Sequence, residues 1–309
     1  MCKKFSHLVK PLIARAGPEG LYSDMRIWMD SWDLGGIPVV FSYGFLKRAG
    51  VTCHPIKADE AVIHPYDEVL VFVGSDASNI KRLNGEISIE IGESPEEYIF
   101  NEPSVVVIPK GTPHGPITVK SIEAPIIHFL FGLGSEYKAT TTKKGIKQPE
   151  SKRYSHLIKK FIVPWAEDGV IYMNRIHGPG NADQAVFMDG KSLEGVGIFF
   201  SWGVYSKVGI WHKEPYSDPH THPYDELLFA VGLDPNSLYY FGGSIEVGIG
   251  DELERHIITV PSVAIMPKGI IHCPMVTWLV DAPFGFIALC LNPELVIQRI
   301  ERRKYSPSG

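Results

Sequence analysis

With 309 residues the chain is long enough for two domains, each with a sizeable core. Hydrophobic residues make up 44% and charged residues 21%, as in ordinary globular proteins, and a net charge of -5 gives no basic footprint for a nucleic-acid partner. No apolar run approaches the length of a membrane span, and the start Met1-Cys2-Lys3-Lys4-Phe5 lacks an apolar signal region.

In chain order, the pattern predicts a short helix over Phe5 to Ala16. Short apolar runs then read as strands at Val69 to Val73, Ile87 to Ile91 and Val105 to Ile108. The polar stretch Tyr137 to Arg153, rich in Lys and Thr, reads as the linker. A second short helix is expected over Tyr154 to Phe161. Strands follow at Leu227 to Val231, Ile245 to Ile249 and Val263 to Met266. A third helix is expected over Pro293 to Lys304, with Leu295, Ile297 and Ile300 spaced among charges. The chain carries 30 glycines and 24 prolines, and turn signals fall between the apolar runs, as an all-β barrel or sandwich requires. Cys2, Cys53, Cys273 and Cys290 form no Cys-x-x-Cys pair, so reduced thiols and a cytoplasmic location are expected.

The segment His220-Thr221-His222-Pro223-Tyr224-Asp225-Glu226 carries the most chemistry. A strand sends alternate side chains to one face, so His220, His222 and Glu226 on one strand would all point inward. His272 follows the turn Pro267-Lys268-Gly269 and is placed to join them from a neighbouring strand. Three neutral imidazoles and a carboxylate suit Mn(II) or Fe(II), and less often Zn, Ni or Cu.

The segment has an echo. His64-Pro65-Tyr66-Asp67-Glu68 repeats His222 to Glu226, and Pro109-Lys110-Gly111-Thr112-Pro113-His114 repeats Pro267 to His272, both at an offset of 158 residues. About a third of the aligned positions are identical, and no gap is needed, which marks a duplication. Phe41-Ser42-Tyr43-Gly44 resembles Phe200-Ser201-Trp202-Gly203 upstream. The two units are expected at 1–148 and 149–309. Val62 stands where the second copy has His220, so the first copy reads as an incomplete metal motif of His64, Glu68 and His114, closer to a structural remnant than to a working site.

These motifs resemble the cupin family, whose pattern is His-x-His-x-x-x-Glu on one strand and Pro-x-Gly-x-x-His on a later one. The whole chain resembles a bicupin, two cupin barrels fused in tandem. Glu214 and Pro261 replace glycines usual before the motifs, and Gly232 comes one residue early. The resemblance implies an all-β protein of two double-stranded β-helix (jelly-roll) barrels with short flanking helices, and a divalent metal on His220, His222, Glu226 and His272.

Other residues weigh less. Tyr224 is a candidate to carry a proton beside Glu226, although its repeat as Tyr66 argues for a structural role in both copies. Asp67 and Asp225 are expected to bond a neighbouring loop. Glu252, Glu254 and His256 read as a solvated strand face. Cys273 is expected to point away from the metal, with no activating partner. Trp202, Trp211, Trp278, Phe284 and Phe286 read mainly as core, some as pocket walls.

The function expected is metal-dependent hydrolase or lyase chemistry on a small oxygen-rich chelating substrate: a 1,3-dicarbonyl, phenolic or hydroxy-keto compound. Ring-opening of a cyclic diketone and decarboxylation are concrete forms. The alternatives are an Fe(II)-dependent dioxygenase and a non-catalytic ligand-binding or storage-type bicupin. The Glu ligand argues mildly for hydrolase or lyase chemistry over the dioxygenase, because many iron cupins that oxidise thiols lack it, though others retain it. The expected partners are a small molecule and, in a homo-oligomer, further copies of the chain; neither nucleic acid nor membrane is expected.

Overall fold

The computed structural model describes residues 3–146, 152–161, 170–171, 181–211 and 219–300. Each copy of the repeat builds two sheets, antiparallel except for the parallel pair Val170–Ile171 and Gln184–Met188 in the second copy. In the first copy the seven-stranded sheet runs Ile158–Lys160, Ser104–Ile108, Glu68–Gly74, Ile126–Gly132, Val40–Leu46, Arg26–Met29 and Ala14–Arg15. Its six-stranded partner includes Glu60–Ile63 beside His114–Ile122, followed by Gly85–Ile91. The second copy repeats this arrangement around Glu226–Gly232 and His272–Val280. The apolar runs at 69–73, 87–91, 105–108, 227–231, 245–249 and 263–266 all lie within strands.

Strands Glu68–Gly74 and Glu226–Gly232 are buried at every position. Antiparallel strands usually keep one face wet and alternate in polarity; these read as continuous apolar runs because both faces are covered. One face lines its own barrel. On the other side the seven-stranded sheets of the two copies meet, with Phe41 stacked on Phe229 at 3.9 Å between ring centroids and Phe129 against Trp202 at 5.6 Å. The Tyr43 hydroxyl donates to the Gly232 carbonyl across this seam at 2.7 Å.

The copies also trade strands. Val9–Pro11 pairs with Ser262–Met266 of the second copy, and Ile158–Lys160 pairs with Ser104–Ile108 of the first. This exchange overrides the helices expected over Phe5 to Ala16 and Tyr154 to Phe161, which shrink to single 3-10 turns at Ser6–Leu8 and Ser155–Leu157. Residues 9–11 and 158–160 find sheet partners for their backbone groups instead, and Pro11 fits an edge strand but not a helix interior.

Two further expectations are corrected. Within the stretch read as a linker, Thr140–Lys143 is a strand on Glu60–Ile63, and Tyr137 packs edge-on against His64; residues 147–151 lie outside the described set. The tail expected as a helix is extended over its described part, with Gln298–Arg299 paired to His220–Thr221, while 301–304 lie outside the described residues. The Val296 backbone is taken by side chains of the repeat motif, and Leu295 and Ile297 share one face as alternate residues of an extended chain.

Candidate metal centres

The motif of the second copy does not lie on one strand, contrary to the sequence reading. His220–Thr221 belongs to the six-stranded sheet, Pro223 to Asp225 form a turn, and Glu226 opens a strand of the seven-stranded sheet. The motif therefore bridges the two sheets. His272, first residue of its strand, pairs directly with His220.

The four side chains form two overlapping groups. Ligand atoms of His222, Glu226 and His272 lie within 4.8 Å of one another, as do those of His220, His272 and Cys273. Glu226 Oε2 stands 3.1 Å from His272 Nε2 and 3.5 Å from His222 Nε2. The His222 Nδ1–H donates to the Val296 carbonyl at 2.6 Å and the His272 Nδ1–H to the Ile270 carbonyl at 3.3 Å. Both Nε2 atoms therefore present lone pairs toward the carboxylate, a tautomer assigned by the network. Glu226 Oε2 is buried without a hydrogen-bond partner among the described residues. Lone pairs on two nitrogens and an anionic oxygen, converging in a buried site, fit a divalent cation.

Beside this group lies a cavity of about 110 Å³. Phe187, Phe199, Tyr205, Trp211 and Phe286 form much of its wall, and among the described residues no lysine or arginine lines it. Of the aromatics weighed from sequence, Trp211 and Phe286 are walls, Trp202 and Phe284 are core, and Trp278 is exposed.

Four side chains fall elsewhere than the sequence suggested. Tyr224 stacks on His222, and its hydroxyl donates to the Val296 carbonyl and accepts from the Val296 N–H at 2.7 Å. Its proton is spent on the backbone rather than offered to the cavity. Cys273 lines the cavity instead of pointing away from the ligands, because its φ of 74° breaks the strand alternation. Burial pushes this thiol's pKa up, so it is no thiolate nucleophile at neutral pH. Glu254 and His256 form an ion pair at 2.7 Å, and Glu254 accepts from the Lys4 and Phe5 N–H groups, anchoring the exchanged N-terminal segment. Asp67 and Asp225 accept from the Lys110 and Lys268 N–H groups of the neighbouring loops, as expected. Cys290, not singled out from sequence, donates its thiol to Glu226 Oε1 at 3.4 Å.

The first copy holds the larger surprise. His54, His64, Glu68 and His114 bring their ligand atoms within 4.8 Å of one another as a single four-member group. Val62, opposite His114 in the sheet, offers no ligand, but His54 arrives from the end of the short strand Thr52–Cys53. The first site is thus not limited to three ligand residues. A sequence signal for His54 existed: the same offset of 158 sets it against His212, which lies outside the described residues.

No protein-family model matches the chain, and no curated protein does. Solved structures do. The oxalate decarboxylase of Lactobacillus farciminis, as its formate complex, is similar with a TM-score of 0.58 at 12% identity, over 97% of this chain and 90% of that one. The oxalate decarboxylase of Bacillus subtilis at pH 4.6 gives a TM-score of 0.56 at 12% identity, over 94% of this chain and 76% of that one. Likeness at this identity concerns architecture, and with the duplicated sheets and exchanged strands it settles it: the chain has the bicupin fold, two cupin jelly rolls in tandem.

Proposed function

We propose that this protein is a metal-dependent enzyme that breaks a C–C bond in a small chelating substrate, with the second copy as the working site. The observation that carries the reading is the His222, Glu226, His272 triad opening on a cavity. A divalent ion bound there supplies Lewis acidity toward two neighbouring substrate oxygens. Mn(II) or Fe(II) suits the donor set best.

The chain's own residues define the rest. Glu226 contributes the negative charge, with its other oxygen held by the Cys290 thiol. Val296 fixes the His222 ring through its carbonyl, and Tyr224 holds Val296 in turn. Tyr224 is therefore a positioning residue in this reading, in place of the proton carrier suggested by sequence. Aromatic walls exclude water and favour a substrate with an apolar or ring-shaped body. A dianion as small and polar as oxalate would find no basic side chain among the described lining residues. Decarboxylation of an aromatic or hydroxy-keto acid and hydrolytic cleavage of a 1,3-diketone both fit.

A second reading, an Fe(II)-dependent dioxygenase, is favoured by one observation: two histidines and one carboxylate with His220 set apart make the open facial arrangement used by such enzymes. Incubating metal-loaded protein with catechols, β-diketones and hydroxy-keto acids, with and without dioxygen, separates the two. Product formation without oxygen supports the first reading. Strict, stoichiometric oxygen consumption replaces it with the second. Tight binding without turnover of any of them removes the enzyme reading.

A further inference from the structure

The first copy differs from the second in a way that assigns it a separate task. Its four ligand residues are sealed: His54, His64, Glu68 and His114 are at most 1% exposed, whereas His220 is 7% and Glu226 5% exposed. The strand registers explain the seal. Gly44 lies opposite His128 and next to Arg26, while its equivalent Gly203 lies opposite Phe286 and Ala185, both lining the open cavity. In the first copy this space goes to the Arg26 side chain, which donates to Ser42 Oγ and to the His128 carbonyl and covers the Tyr22 ring at 4.2 Å. A Cβ on Gly44 would stand 3.0 Å from the guanidinium.

A chain of hydrogen bonds then fixes the proton on His54. The His128 Nδ1–H donates to the Val71 carbonyl at 3.0 Å, so His128 Nε2 is an acceptor. The Tyr22 hydroxyl, 2.8 Å away, has one proton and must spend it there. The Tyr22 oxygen accordingly accepts from His54 Nδ1–H at 3.2 Å, which leaves His54 Nε2 bare. His64 and His114 spend their Nδ1–H groups on the Lys138 and Thr112 carbonyls and are likewise bare at Nε2. Three lone pairs and a carboxylate therefore face one another without a proton to share: His54 Nε2 stands 3.1 Å from both His114 Nε2 and Glu68 Oε2. His64 Nε2 and Glu68 Oε1 are buried without partners among the described residues. Donor atoms on adjacent corners about 2.1 Å from a common ion would be separated by roughly 3 Å.

We propose that the first copy binds a second divalent cation on His54, His64, Glu68 and His114, and that this ion is sealed from substrate and structural in role. Gly115 makes room for the unusual ligand. It stands where the second copy has Cys273, and a Cβ there would lie 1.9 Å from the His54 carbonyl oxygen. Nothing in this assignment depends on the reaction of the second copy.

The test is metal analysis of the full chain, purified from metal-replete medium, before and after dialysis against a chelator. Wild type should carry about two ions per chain, of which the chelator removes about one. His54→Ala and Gly115→Val should each purify with about one ion, which the chelator then strips; His222→Ala should keep only the resistant one. Tyr22→Phe preserves the ring and the packing but frees the His54 tautomer, so it remains informative if the other variants fail to fold. It should weaken retention of the resistant ion by ~10- to 100-fold. A single ion per chain in wild type, lost in His222→Ala and kept in His54→Ala, overturns the proposal. So does a Tyr22→Phe protein that folds and keeps both ions with wild-type exchange.

Discussion

Val62 and His54 show how a ligand set can hide at the scale of single residues. A motif read by spacing finds His64, Glu68 and His114, and then meets Val62 where a fourth ligand belongs. His54 was not legible this way because it reaches the site from another strand, and strand pairing is not written in local spacing. We expect Val62→His to add no ion, because His54 already stands in the donor group. Val62 is only 3% exposed, so the new imidazole would be buried without an assured partner, costing about 1–3 kcal/mol in a denaturant titration. Extra metal in that variant would show a site with room for both histidines. Tyr224→Phe tests the other residue-scale revision. It should leave metal content intact, cost roughly 0.5–1.5 kcal/mol through the lost bonds to Val296, and raise KM more than it lowers kcat. A large fall in kcat at unchanged KM would restore Tyr224 as a proton carrier.

At the scale of elements, strands were legible and helices were not. The runs from Val69 to Val73 and from Leu227 to Val231 are continuously apolar, a pattern that survives because both faces of those strands are buried. The segments near Phe5 and Tyr154 carry weaker patterns, and a sheet edge about 250 residues away for the first and about 50 for the second decides their conformation. The anchors of these segments repeat: Glu254 takes the Lys4 and Phe5 N–H groups, and Glu96 takes the Arg153 N–H. Desolvation raises the Glu254 pKa, but bonds from Phe5, Lys4 and His256 outweigh it and leave the value lowered. Its contribution is therefore complete above the unfolded carboxylate value of about 4.3 and is lost as pH falls through the lower folded value. Thermal melts across that window should show Glu254→Gln losing part of the wild-type pH dependence; identical slopes would detach Glu254 from the N-terminal dock. Gly250 marks the same dock more bluntly. Its φ is +81° and a Cβ would lie 2.1 Å from the Phe5 ring, so Gly250→Val should free the exchanged strand, read as faster amide exchange over Val9–Pro11.

At the scale of the molecule, duplication has produced two copies with one plan and opposite interiors. Strand exchange and the seam of Phe41, Phe129, Phe200 and Phe229 join them, so we expect 1–148 or 149–309 expressed alone to aggregate and co-expression to rescue both. The identity of the ligand types in the second copy was legible, but the emptiness of its barrel was not, since it depends on which residue a strand partner presents. Ala185 leaves the space that Arg26 fills in the first copy. The argument turns on volume, so it can be tested by volume alone. Ala185→Leu adds apolar bulk to a wall of a cavity of about 110 Å³ without touching a metal ligand. The protein should fold with unchanged metal content and equal or greater stability, because a filled apolar cavity gains packing. Binding of a ring-bearing chelator, followed by calorimetry, should weaken by at least ~10-fold, and turnover should fall with it. Unchanged binding and turnover would place the substrate outside this cavity and remove the aromatic walls from the account of specificity.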